Sequence, residues 1–235
     1  GSIEYFKYPT KGSASGTAEN IKVGFTLNKD VDYKDDLAAA GFLEKISPPG
    51  AKIILIEQVH GPKIKSLSLG DMAKEKIKVE KGVDGVFLKN FRGSVKVGVR
   101  VADCMPVFGF SKGKLIGAFH AGRRGLAGGI VESFLKKAVT GGYKKEDLRF
   151  FIGPHICGSC YEIPREDTSG FPPEALNGRC LDMFMALRIE LEHAGINKEQ
   201  VKLFKNKNYC TYENKKYCSY RRKDKRRSMA FAIQG

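Results

Sequence analysis

The stretch VDGVFLKNFRGSVKVGVRVADCMPVFGFSKGKLIGAF, residues 83–119, decides the fold class. It reads as three strands in succession, at 83–88, 95–101 and 114–119, the last two flanking a turn at Asp103-Cys104-Met105-Pro106. Working outward toward the N-terminus, residues 52–59 are a β-branched run expected to form a buried strand, and residues 23–27 form a short one. Between them, residues 33–46 place Leu37, Ala39, Ala40 and Leu43 at helical spacing, and Ser47-Pro48-Pro49-Gly50 stops that helix. Toward the C-terminus, a helix over 128–139 lines one face with Ile130, Val131, Phe134, Leu135 and Ala138 and ends at Gly141-Gly142. A strand at 148–152 leads into Gly153-Pro154. A longer amphipathic helix carries Leu181, Phe184, Leu187, Leu191 and Ala194 and closes at Gly195, before strands at 201–204 and 229–233. Strands in succession with irregularly interspersed helices define an α+β fold, a mixed β-sheet core flanked by helices, and not a regular doubly wound sheet.

At 235 residues and 42% apolar content the chain can bury a sizeable core without a disulfide scaffold. Gly1-Ser2 is set aside as a cloning remnant, and residues 3–235 are expected to form one domain, a monomer being favoured. The longest aliphatic run, Ile53-Ile54-Leu55-Ile56, is far too short to cross a bilayer, and no basic segment followed by an apolar one opens the chain. The cytoplasm is therefore the expected compartment. In that setting Cys104, Cys157, Cys160, Cys180, Cys210 and Cys218 are expected as thiols or metal ligands. The net charge of +15 favours anionic partners such as phosphate, nucleotides or nucleic acid. Much of it sits in residues 202–227, where 11 Lys and Arg face only Glu213 and Asp224.

Two of the four histidines stand at strand ends in Gly-rich turns, in Gln58-Val59-His60-Gly61 and in Phe119-His120-Ala121-Gly122-Arg123-Arg124-Gly125. Between them in the chain, Cys104 stands where a strand bends, with Pro106 holding Met105 extended. Thiolate and imidazole suit Zn²⁺, and two imidazoles with one thiolate leave a fourth tetrahedral position open, as in a catalytic zinc. No close spacing of ligands ties the three together, so each also reads singly as a structural residue.

Five motifs in order carry a resemblance: Gln58-Val59-His60-Gly61; Ala102-Asp103-Cys104-Met105-Pro106-Val107; His120-Ala121-Gly122-Arg123-Arg124-Gly125; Gly153-Pro154-His155-Ile156 with Cys160-Tyr161-Glu162; and Ser219-Tyr220-Arg221-Arg222. Together they resemble the YfiH-like, laccase-domain family, once labelled multicopper polyphenol oxidases. The resemblance implies a YfiH-type fold with zinc held by His60, Cys104 and His120. It also implies phosphorolysis of purine nucleosides (adenosine, inosine, methylthioadenosine) with adenosine deamination beside it. Orthophosphate would need a bidentate clamp, for which Arg124, Arg221 and Arg222 are the candidates. Cys104 belongs to the catalytic centre, and Asp103 or Glu162 is expected to handle the proton or orient a ligand.

The chain departs from that pattern at Arg123, where Trp is usual, at Leu27, where Arg is typical, and at Lys223-Asp224-Lys225-Arg226-Arg227-Ser228, which replaces a Gly-containing motif. The shortened connection after Thr26-Leu27-Asn28 is a further departure. Cys157-Gly158-Ser159-Cys160 reads as a loop with an incidental second thiol, and a second zinc on Cys157, Cys160, Cys210 and Cys218 lacks a paired CxxC. Two other functions fit parts of the chain. A copper-dependent polyphenol oxidase needs several His-rich sites, which four histidines without a His-x-His pair do not supply. A nucleic-acid-binding module would use the basic stretch with Phe204, Tyr209, Tyr212, Tyr217 and Tyr220 interleaved.

Overall fold

A computed structural model describes residues 3–7, 21–27, 31–46, 49–91, 93–204 and 208–235. Along the chain these form β1 (Ile3–Lys7), β2 (Ile21–Thr26), α1 (Asp36–Lys45), β3 (Lys52–Ile56), β4 (Ile64–Leu67), β5 (Ile77–Glu80), β6 (Gly85–Leu88) and β7 (Val95–Val101). Then follow β8 (Met105–Ser111), β9 (Lys114–Ala121), α2 (Arg123–Ala127), α3 (Ile130–Thr140), β10 (Leu148–Ile152), β11 (Leu176–Asn177), β12 (Cys180–Leu181), α4 (Met183–His193), β13 (Val201–Leu203) and β14 (Ser228–Gln234).

The expected α+β architecture is present, with its sheet divided in two. One six-stranded sheet runs β1-β2-β14-β7-β3-β5 and the other β13-β10-β8-β9-β6-β4, while β11 and β12 form a separate ribbon. Both large sheets are mixed: β3 pairs in parallel with β5 and β7, β4 with β6, and β10 with β13, the remaining pairs being antiparallel.

Side-chain alternation along the strands explains the layering. Val95, Val97, Val99 and Val101 of β7 meet Phe108 and Phe110 of β8 and Ala118 of β9 in the core between the sheets. The intervening residues of β7 face α1: Lys96 donates through Nζ to the Leu43 carbonyl (3.1 Å), and Gly98 leaves space that Leu43, Leu55 and Met229 fill. On the outer face of the second sheet, Met105 and Val107 pack with α3 and α4. There Gly109 pairs with Gly117, and the Phe134 ring of α3 lies where their Cβ atoms would be, 2.7–2.8 Å away. Two helical layers thus enclose two sheets. No helix among the described residues is long and apolar enough to cross a membrane.

Six strands were not anticipated: β1, β4, β5, β8 and the two-residue β11 and β12. The expected turn through Met105 and Pro106 contracts to a bend over 102–104, and β8 begins at Met105. Proline is tolerated so early in a strand, where its fixed extended φ fits and its missing N–H costs little pairing. β4 and β5 are only four residues each, and their alternation is weak, with Lys65 exposed in β4 and Ile77 exposed in β5. β1, preceding the expected first strand, pairs antiparallel with β2. The helix stop at Ser47-Pro48 and the connection at Asn28 lie outside the described residues.

Candidate metal centre and cavity

Two of the connections that cross between the sheets carry a candidate site residue. The chain leaves β3 in the first sheet and enters β4 in the second through residues 57–63, which include His60. It leaves β7 and enters β8 through the bend that holds Cys104. His120 sits beside them near the end of β9. The ligand atoms of His60, Cys104 and His120 all lie within 4.8 Å of one another, and the two imidazole rings meet edge to face at 83°.

The backbone at these crossings is bent into the left-handed region, with φ of 66° at Gln58, 64° at His60 and 90° at Asp103. Non-glycine residues stay there only when their surroundings hold them. Gln58 is clamped by the main chain of Arg100, donating to its carbonyl (2.7 Å) and accepting from its N–H (2.6 Å). The Asp103 carboxylate accepts from Thr211 Oγ1 and from the Arg221 N–H, each at 2.7 Å. Gly122 is needed for space, since a Cβ there would lie 2.9 Å from Cys104 Sγ and 3.4 Å from the His120 ring.

The most consequential residue that sequence reasoning missed is Asp84. Fully buried at the start of β6, its carboxylate accepts the N–H groups of Val59 (3.1 Å), His60 (2.8 Å) and Gly61 (2.7 Å), shaping the turn that presents His60. It also accepts from His120 Nδ1 (2.9 Å), so that Nε2 is the nitrogen of that ring a metal could take. Burial alone would raise Asp84, but these hydrogen bonds hold it below the usual carboxylate value. An acid interrupting the apolar run Val83–Leu88 was the available signal.

The electrostatics of the centre favour a thiolate. Burial pushes the Cys104 thiol up, yet the charge of His120 and hydrogen bonds from both histidines bring it down to about 6. Burial likewise lowers His120, but the facing Cys104 and Asp84 overcome it and raise the imidazole to about 9. A thiolate beside two imidazoles is the donor set zinc accepts, so the residues present fit the ion.

The triad lies in a cavity of about 820 Å³ whose charged lining residues are mostly cationic. Arg124, at the start of α2, is exposed and has no ion pair or hydrogen bond from its side chain among the described residues. Arg123 pairs with Asp167, so the expected extra charge near His120 is partly neutralised. Tyr161 supplies an aromatic wall, with the Arg221 guanidinium 5.1 Å from its ring centre and donating to the Glu162 carbonyl (2.7 Å).

Several expected residues stand elsewhere. Arg222 is turned inward: it donates to the carbonyls of Thr211, Tyr212 and Tyr217 (2.5–2.7 Å) and pairs with Asp224, which leaves its guanidinium no role at the cavity. The Glu162 carboxylate pairs with Arg179 outside the main cavity, and both Asp103 oxygens are already engaged, so neither is placed as a proton carrier. Leu27 packs against the core between the sheets. In the basic stretch Phe204 and Tyr217 are buried, which breaks the supposed stacking ladder; only Tyr212 and Tyr220 are well exposed.

Residues 12–234 match the multi-copper polyphenol oxidoreductase laccase family, and the chain belongs to it. A protein named purine nucleoside phosphorylase ORF3 of Streptomyces griseus is 32% identical over 117 residues, which span 49% of this chain and 46% of that protein. The matched stretch therefore covers about half of that relative. The purine nucleoside phosphorylase YlmD of Geobacillus stearothermophilus is 27% identical over 211 residues, 81% of this chain and 74% of its own length. The crystal structure of YlmD superposes with a TM-score of 0.72 at 23% identity, covering 92% of each chain, and shows the same fold.

Proposed function

We propose that the chain is a zinc-dependent purine nucleoside phosphorylase with adenosine deamination as a side activity. The observation that carries this reading is the meeting of His60, Cys104 and His120 inside an arginine-rimmed cavity large enough for a nucleoside and phosphate together. The names of the relatives support the same class. His60, Cys104 and His120 would hold the ion, which when bound supplies Lewis acidity and an activated water at neutral pH.

The remaining work falls to side chains of the chain itself. Asp84 fixes the tautomer of His120 and the presentation of His60. Arg124 offers for orthophosphate a guanidinium unengaged among the described residues, and Arg221, held over Tyr161, offers a second cation on the same rim. The Tyr161 face suits a purine. In phosphorolysis the C1′–N9 bond breaks with its electrons leaving on the purine, a phosphate oxygen bonds to C1′, and the base takes up a proton. Cations on the rim place phosphate against C1′ and offset the charge that gathers there. In deamination a water oxygen replaces the C6 amino group, which leaves as ammonia.

Zinc-loaded protein given adenosine or inosine is expected to release free purine and ribose 1-phosphate only when orthophosphate is present, read by chromatography. Absence of phosphate-dependent product from metal-loaded protein would refute the phosphorylase reading. A copper polyphenol oxidase, as the family's name describes, would instead consume oxygen with a phenolic donor. Only two of the four histidines meet in the cavity: His155 is buried with its Nδ1 donating to the Gly153 carbonyl (2.8 Å), and His193 closes α4. A histidine-rich copper cluster is therefore disfavoured by the donors present.

A further inference from the structure

We propose that Cys157, Cys160, Cys210 and Glu213 form a second metal site, structural in character and suited to zinc, that staples two turns beside the cavity wall. Their three sulfurs and one carboxylate oxygen all lie within 4.8 Å of one another. Zn–S bonds of about 2.3 Å in a tetrahedron set ligand sulfurs roughly 3.8 Å apart, so small side-chain adjustments close the group around an ion. On sequence alone, a zinc site with Cys218 as the fourth ligand is set aside for want of a paired CxxC. That residue is instead buried beside β14, where its N–H donates to Ser228 Oγ (3.1 Å), and Glu213 takes the place.

The backbone sends a donor into the cluster. The N–H of Cys157 donates to Cys210 Sγ at 3.3 Å. Such a bond favours the thiolate that a bound metal requires over a neutral thiol. Residues 157–160 form a tight turn, closed by the Cys160 N–H on the Cys157 carbonyl (3.1 Å), which puts both sulfurs on one side. Cys160 Sγ donates to Glu213 Oε1 at 3.4 Å, so the carboxylate already reaches into the cluster. None of the six cysteines is in a disulfide, and pairing any two of these three sulfurs would strand the third beside a carboxylate. Cys157 and Cys160 are half-buried and Glu213 is exposed, which gives an ion a way in.

The site stands next to the first without sharing a residue with it. Cys160 precedes Tyr161 of the cavity wall, and Cys210 precedes Thr211, whose hydroxyl holds Asp103 beside Cys104. An ion there would fix both contacts, and its binding would release the thiol protons to solvent.

Metal stoichiometry separates this proposal from the one for the His60, Cys104 and His120 centre. Chain purified under reducing conditions and equilibrated with zinc is expected to carry about two equivalents, and Cys104→Ala about one. Cys104→Ala loaded with Co²⁺ is expected to show intense sulfur-to-cobalt charge-transfer absorption, which Cys104→Ala/Cys157→Ser loses. Glu213→Gln, an exposed change that leaves the fold intact by circular dichroism, is expected to weaken zinc binding in the Cys104→Ala background at least 10-fold. Cys104→Ala that binds no zinc while its remaining thiols react freely would overturn the proposal. So would an intact-mass measurement showing two of these sulfurs joined in reduced, zinc-treated protein. One equivalent retained in both wild type and Cys104→Ala would instead overturn the first centre and leave this one standing.

Discussion

Asp84 accepts the Nδ1 proton of His120 at 2.9 Å with the same carboxylate oxygen that receives the His60 N–H at 2.8 Å. One buried acid thus orients two members of the candidate metal centre, one from a connection and one from strand β9, which lie far apart in the chain. Asp84→Asn keeps the shape but loses the charge and places an amide where only acceptors fit. It is expected to weaken zinc binding by roughly 10–100-fold, the usual consequence of removing a carboxylate behind a ligating histidine. A competition titration against a chromophoric chelator reads this directly. Unchanged zinc affinity at the first centre would show that Asp84 only shapes the turn.

Gly122 tests the centre from another side. Its φ of −93° is open to any residue, so alanine there brings no backbone strain. The added methyl would meet Cys104 Sγ at 2.9 Å. Gly122→Ala is therefore expected to lose one equivalent of metal and at least 10-fold in activity while keeping its circular dichroism spectrum. Full metal occupancy in the variant would mean that Cys104 can move aside and that the centre is less tightly set than its geometry implies.

Much of the fold was legible because its strands are strongly patterned. The valines of β7 and the aliphatic run of β3 announce buried strands, and the Phe134 face of α3 announces a helix against them. What pattern could not show is the division into two sheets, since β3 with β4 and β7 with β8 look continuous in sequence and part company only through long-range pairing. The ordered motifs and residue chemistry singled out His60, Cys104 and His120, and these three side chains do meet. Asp84 was not singled out, because a lone acid shows its importance only through four donors that the fold brings to it. Arg221 and Arg222 illustrate the same limit. Adjacent and chemically alike, one reaches the cavity and the other turns into a cage of carbonyls.

That divergence makes a paired prediction. Arg124→Ala is expected to raise the KM for phosphate at least 10-fold with a melting temperature close to wild type, because the side chain is exposed and binds no protein group among the described residues. Arg222→Ala is expected to do the reverse. It strands the carbonyls of Thr211, Tyr212 and Tyr217 and removes the ion pair with Asp224, costing about 2–4 kcal/mol of stability with no selective effect on phosphate. Phosphate kinetics and urea denaturation on the two variants check both halves. A selective KM effect in Arg222→Ala would restore it to the site.

Away from the cavity, Glu190 on α4 sets a pH dependence of stability. Burial raises its carboxyl, and the charge of Glu132 on α3 pushes the same way, to about 7 against an ordinary 4.5. Between those values the folded chain keeps a proton that the unfolded chain has released. The folded state is therefore favoured below pH 4.5, and that advantage drains away as pH rises through about 7. Glu190→Gln removes the titration while keeping the side chain's size. The variant is expected to gain on wild type as pH rises from 5 to 8, by roughly 2 kcal/mol after allowance for partial exposure. Urea unfolding of both proteins at the two pH values reads the difference, and other groups cancel because both chains share them. A gap that stays constant with pH would mean that Glu190 titrates alike in the folded and unfolded chains, and that the contact between α3 and α4 carries no trapped proton.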